Sequence, residues 1–267
     1  MIRERPRLAD FDLESRPCLK GVKAVYFDLD DTLCAYWEAS KFALFRAFEL
    51  AGPEGFSPQE MIQIWASAFR KFGPDIKSGP WYEVYLKSGE PTRTEQMRLA
   101  LLEVGISSHE LAHKLGQIYA NERNRALTLF SDAIEVLTKL SEHFPLGLIT
   151  NGPADVQRQE VETLGIEKFF KNIFIEGEMG EGKPNEEVFA RAARAVQAEP
   201  KELLFVGNSY HHDVYPALKY GWHAIWVRRS SDVPPSAPGP ESVPQDSPAP
   251  DAAIGELLPL LDILGVS

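Results

Sequence analysis

The chain has 267 residues, 44% hydrophobic and 25% charged, values that exclude global disorder and a fibrous repeat and leave room for one large domain or a core plus a smaller module. Its formal net charge of −11 opposes nucleic-acid phosphates and anionic lipid, so neither is an expected partner. Two cysteines, Cys18 and Cys34, are too few for a disulfide framework or a thiolate metal cage. With a charged start and no long apolar stretch, the expectation is a cytoplasmic protein without a membrane partner.

Val22 to Phe27 is a β-branched and aromatic run that ends in acidic residues. It reads as a buried strand delivering carboxylates at its carboxyl end. From about Tyr36 to Ala126 the pattern turns helical, and Gly52-Pro53, Gly73-Pro74, Gly79-Pro80 and Pro91 punctuate it into four or five helices. Apolar runs then return at 146–149, 173–175, 203–206 and 224–227, separated by helix-period segments around 132–143, 154–164, 186–197 and 214–220. This alternation predicts an α/β, doubly wound parallel sheet of Rossmann-like kind, built from residues 1–34 and 127–267. A helical-bundle module, residues 35–126, is inserted into it. Ser230 to Pro250 is rich in Pro, Ser and Ala and predicts an extended or flexible loop, followed by a last helix over Gly255 to Leu264.

Open α/β sheets bind ligands at the carboxyl ends of their strands. Four such places carry polar groups here: Asp28, Asp30 and Thr32 after the first run, Thr150-Asn151-Gly152 after the second, Lys183-Pro184 further on, and Gly207-Asn208-Ser209 with Asp213 after 203–206. The stretch from Gly177 to Lys183 has the glycine and lysine spacing of a nucleotide-binding loop. Pro184 removes the hydroxyl such a loop needs after its lysine, and the acidic residues within it would repel phosphate, so nucleotide binding there is excluded. His211 and His212 read as neighbouring surface histidines and Cys34 as a small buried hydrophobe.

Together, the Asp28-Leu29-Asp30-Asp31-Thr32 segment, the strand-end Thr150, Lys183 followed by Pro184, and Gly207-Asn208 with Asp213 resemble, in order, the motifs of the haloacid dehalogenase superfamily and its phosphatase branch. The helical module is similar to the cap that this family inserts after its first motif. The resemblance implies Asp28 as nucleophile and Asp30 as general acid and base. It implies phosphoryl binding by Thr150, Asn151, Gly152 and Lys183, and Mg2+ held by Asp28, Asp30, Asn208 and Asp213. Trp37 and Lys41 follow the first motif closely and are candidate substrate contacts, whereas most module aromatics read as bundle core.

The expected activity is Mg2+-dependent hydrolysis of a small phosphorylated metabolite by a monomer or homodimer. The 176–184 stretch looks similar to nucleotidases and acylneuraminate-9-phosphatases, and also to phosphoglycolate phosphatases. Asn208 departs from the pattern, since the family's phosphatases usually carry a metal-binding carboxylate there. Two alternatives therefore stand: a metal-independent dehalogenase, against which Asp30 argues, and a binding or regulatory protein with a blunted metal site.

Overall fold

The computed structural model describes residues 5–266. In chain order it holds β1 (Ala24–Phe27), α1 (Tyr36–Ala51), α2 (Pro58–Ile76), α3 (Gly79–Lys87), α4 (Gly89–Glu103), α5 (His109–Ala126), α6 (Ala133–Ser141) and β2 (Leu146–Thr150). Then follow α7 (Ala154–Leu164), β3 (Phe170–Ile175), the one-turn α8 (Glu176–Met179), α9 (Glu186–Val196), β4 (Leu203–Gly207), α10 (Tyr215–Lys219), β5 (His223–Val227), β6 (Ala252–Ile254) and α11 (Pro259–Leu264).

All six strands pair in parallel, in the order β3-β2-β1-β4-β5-β6. Their side chains are largely buried on both faces, as a parallel sheet sandwiched by helices requires. One face packs Val25, Phe27, Leu148 and Val206 against α6, α7 and α11. The other packs Tyr26, Phe205 and Trp222 against Phe189 of α9 and Leu218 of α10. The connections diverge on either side of β1, so the crevice of this sheet opens at the carboxyl end of β1, between β2 and β4.

The helical module has its own core, in which Leu44 and Phe48 of α1, Met61 and Trp65 of α2, Met97 and Leu101 of α4, and Leu115 of α5 interlock. Ser57 and Glu60 open α2 with a reciprocal capping box, Glu60 Oε2 accepting from the Ser57 N–H at 2.8 Å. The strand-like segments entering and leaving the module touch at an antiparallel bridge between Cys34 and Leu129. Polar contacts dock the module on the sheet domain, among them Lys77 with Glu176 (2.7 Å), Ser88 with Asp155 (2.7 Å), Arg123 with Glu160 (3.3 Å), and Arg70 Nη1 with the Ser236 carbonyl (2.7 Å).

Three expectations need correction. Gly73-Pro74 does not end a helix: Pro74 lies two residues before the end of α2, where its missing N–H forfeits only a bond of the last turn. The last helix begins at Pro259 rather than Gly255, because 252–254 form the edge strand β6, too short to show as an apolar run. Residues 230–250 lack helix and strand, yet they are tied down. Ser247 O and Gln245 O accept from Leu8 and Ala9 N–H groups, and Ala249 is fully buried.

Gly147 in β2 lies flat against Tyr26, which is buried and anchored by its hydroxyl to the Ala192 carbonyl at 2.8 Å. A methyl there would overlap the ring. Gly147→Ala is expected to cost about 1–3 kcal/mol through overpacking, read as a lower urea midpoint with unchanged slope.

Candidate active site

The sheet runs straight into the site. Asp28 continues β1, its N–H donating to Val206 O at 3.0 Å, and then the chain turns tightly as Leu33 N–H bonds back to Leu29 O at 2.9 Å. Asp31 takes the left-handed conformation at φ 58° within this turn, and its Oδ1 accepts the Trp37 N–H at 3.2 Å. The Asp28 carboxylate is held from two sides: Oδ1 accepts from Lys183 Nζ at 2.7 Å and Oδ2 from Thr32 Oγ1 at 2.9 Å. Lys183 Nζ also donates to Asp213 Oδ1 at 2.7 Å, while Asp213 Oδ2 accepts the Ser209 N–H at 2.9 Å. Gly207 is required here, since a Cβ would overlap the Asp213 carboxylate.

Burial raises Asp28 to about 6, against the pull of Lys183. Burial lowers the Lys183 ammonium, and the Asp213 and Asp28 carboxylates outweigh it, so its proton is held above the ordinary value. Asp30 is raised well above the carboxylate range, by burial first and then by Glu160, Asp28 and Asp31. The groups are thus arranged as an ionised carboxylate beside a permanent cation, with a proton-retaining carboxyl two residues on.

Behind Asp30 lies a buried polar chain. Gln157 Nε2 donates to Asp30 Oδ2 at 3.1 Å and to Glu160 Oε2 at 3.0 Å, while its Oε1 accepts from Thr150 Oγ1 at 2.6 Å. Glu160 then pairs with Arg123 of α5, whose guanidinium covers the Tyr36 ring. Gln157, Glu160 and Arg123 are absent from the sequence-based set. The i, i+3 spacing of Gln157 and Glu160 on α7 looks like any helix face, and their partner Arg123 arrives from α5.

Asp28, Asp30, Lys183, Asn208, Asp213 and the 150–152 segment all line one cavity of about 530 Å³, as does Trp37. Lys41 does not line it and lies toward Asp31 and Asp232 instead. Thr150 orients Gln157 in this arrangement, and the Asn151 side chain clamps the Lys183 backbone, accepting its N–H and donating to its carbonyl, both at 2.8 Å. His211 and His212 are exposed, with His212 at the cavity rim, and Cys34 is fully buried.

Asn208 Nδ2 donates to Asp232 Oδ2 at 2.8 Å, which turns Oδ1 toward Thr32 (3.2 Å) and the Asp28 side. Asp232 was hidden in the proline-rich segment. Among the described residues no three His, Cys, Asp or Glu side chains form a metal-ligand group. A Mg2+ ion needs less: one or two carboxylates, neutral oxygens and waters. Asp28 Oδ2 and Asn208 Oδ1, both within reach of one hydroxyl, and the buried, unpartnered Asp31 Oδ2 are a donor set of that hard-oxygen type. Asp213, expected as a ligand, has both oxygens committed to Lys183 and Ser209, so here it positions the lysine.

Lys183→Met would leave Asp28 and Asp213 facing each other without their cation. A loss of about 3–5 kcal/mol in stability is expected at pH 8. Both carboxyls already have folded-state proton affinities above the ordinary value, and both rise further without the lysine, so the folded variant binds more protons than the unfolded chain. Its deficit is therefore greatest at pH 8 and shrinks as pH falls toward 5, which urea unfolding across that range would show.

The family model described as "Haloacid dehalogenase-like hydrolase" matches residues 25–227. Phosphoserine phosphatase of Thermus thermophilus is 30% identical over 253 residues, covering 88% of this chain and 96% of the relative. N-acylneuraminate-9-phosphatase of Rattus norvegicus is 26% identical over 219 residues, covering 81% and 86%. Among solved structures, the HAD-hydrolase YfnB from Bacillus subtilis bound to magnesium aligns with TM-score 0.69 at 22% identity, covering 92% of this chain and 100% of that one. 2-Haloacid dehalogenase from Pseudomonas syringae aligns with TM-score 0.64 at 25% identity, covering 91% and 98%. The chain belongs to the haloacid dehalogenase-like hydrolase family.

Proposed function

We propose that the chain hydrolyses a phosphomonoester of a small metabolite through an aspartyl-phosphate on Asp28, with Mg2+ as cofactor. The observation that carries this reading is Asp28 held ionised by Lys183 and Thr32, with the proton-retaining Asp30 in the same cavity. An Asp28 oxygen attacks phosphorus, the ester P–O bond breaks with its electron pair going to the leaving oxygen, and Asp30 gives that oxygen its proton. Water then attacks the phosphoaspartate phosphorus and gives a proton to Asp30, and the P–O bond to Asp28 breaks to release phosphate. Gln157 fixes Asp30 Oδ2 throughout, so the proton is delivered from a constant position.

Bound Mg2+ would be held by Asp28 and Asn208, with the Asp30 backbone carbonyl and Asp31 Oδ2 as further oxygen donors, and would supply charge neutralisation between the phosphoryl group and the nucleophile. Lys183 and the Asn151 and Gly152 amides face the remaining phosphoryl oxygens. The helical module acts as a cap that excludes water while the phosphoryl group is transferred. Relatives named as phosphatases support the reaction class. The reading carries with it a cytoplasmic site of action as a monomer or homodimer, with no nucleic-acid or membrane partner.

p-Nitrophenyl phosphate with Mg2+ should release phosphate, EDTA should stop it, and Asp28→Asn should lower kcat at least about 10³-fold. Turnover surviving Asp28→Asn would overturn the mechanism. Restoring a carboxylate with Asn208→Asp should lower the Mg2+ concentration for half-maximal activity on the order of tenfold, checked by Mg2+ titration. The dehalogenase reading draws on Asn208 and the dehalogenase-like fold. Chloride release from 2-chloropropionate without metal, unaffected by Asp30→Asn, would establish it instead.

A further inference from the structure

Four cations line the cavity: Lys77, Arg93, Arg123 and Lys183. Three are matched by carboxylates, Lys183 by Asp28 and Asp213, Lys77 by Glu176 at 2.7 Å, and Arg123 by Glu160 at 3.3 Å. Arg93 of α4 has, among the described residues, neither a hydrogen-bond acceptor nor a carboxylate within ion-pair distance. Three carboxylates are near enough to act on it through space, and each is engaged elsewhere: Asp155 with Ser88 Oγ and the Gly89 and Val156 N–H groups, Glu90 with Thr94 and His113, and Glu160 with Arg123 and Gln157. Burial and the Arg123 charge push the Arg93 proton affinity down, and the opposing pull of Asp155 does not restore it. A partly buried guanidinium left unpaired costs stability, so the fold gains nothing from it.

Its position is informative. Gly89, against which an Arg93 Nη lies, packs on Pro153 and Val156, the residues that follow the 150–152 segment at the phosphoryl end. A second donor lacks an acceptor in the same wall: Trp65 lines the cavity, is 3% exposed, and its Nε1 has no partner. The module side of the cavity therefore offers donors and one cation without a direct ion-pair partner. The opposite side offers Asp28 and Asp30.

We infer that Arg93 recognises a carboxylate on the substrate, so that the metabolite is a phosphorylated small carboxylic acid, gripped at one end by the phosphoryl site and at the other by Arg93. This rests on the phosphatase reading and names its substrate class. The guanidinium fork matches a carboxylate in a bidentate pair. One unpaired positive charge balances one carboxylate, whereas a second phosphoryl group would bring about two charges into a wall whose other cations are taken.

The test uses substrates that differ in the carboxylate: 3-phosphoglycerate against glycerol 3-phosphate, and phosphoserine against phosphoethanolamine. The wild-type enzyme is expected to favour the acid of each pair about 10- to 100-fold in kcat/KM, chiefly through KM. Arg93→Met should bring that ratio to within about threefold, Arg93→Lys should keep part of it, and Arg93→Met should melt no lower than wild type because an unpaired charge is removed. A wild type that treats the pairs alike, a preference that survives Arg93→Met, or a large stability loss in that variant would each overturn the inference. Hydrolysis of p-nitrophenyl phosphate without a carboxylate preference would sink this inference and leave the phosphatase reading intact. Titration calorimetry of the same pairs on Asp28→Asn protein reads the preference without turnover, and equal affinities there overturn it whatever the reaction.

Discussion

One ammonium group holds this structure's working end together. Lys183 Nζ stands 2.7 Å from both Asp28 and Asp213, two buried carboxylates that the parallel pairing of β1 and β4 brings side by side. In a medium where water screens little, such carboxylates repel strongly, and the lysine converts the repulsion into a three-membered ionic lock. Much nearby detail serves it. Asn151 grips the lysine backbone, the bare Cα of Gly207 admits Asp213, and the Ser209 N–H occupies the oxygen that the lysine leaves.

A second polar chain runs the other way, from Asp30 through Gln157 and Glu160 to Arg123. It joins the first strand, α7 and the helical module in one buried network. Asp30, whose proton affinity burial raises, is thus linked to an element of the helical module. Arg123 offsets the Glu160 charge beside Asp30, so an Arg123→Met variant is left with an uncompensated carboxylate that raises the Asp30 proton affinity further.

The sheet was legible because buried parallel strands write themselves as apolar runs, and Asp28, Thr150, Lys183 and Asn208 were legible because they sit at fixed offsets from strand ends. β6 was not, since three residues carry no period. Asp232 and Arg93 were not, since their meaning comes from which partners they have or lack across the fold, and a linear spacing does not record a missing partner. Asp213 shows the complementary case: its position in the motif was plain, whereas the direction of its two oxygens depended on where the lysine arrives from.

The proline-rich segment after β5 has the composition of a spacer, yet it reaches three separate parts of the molecule. Asp232 orients Asn208, the Ser236 carbonyl takes Arg70 from the helical module, and Glu241 accepts the Tyr210 and His211 N–H groups that open the turn after β4. An engineer shortening the chain by excising its least structured loop would cut away the orienting group of Asn208 and an anchor of the module together. Low complexity in the letters is here compatible with a high density of assignments per residue, and the fastening is done largely through backbone and short side chains, which composition does not weigh.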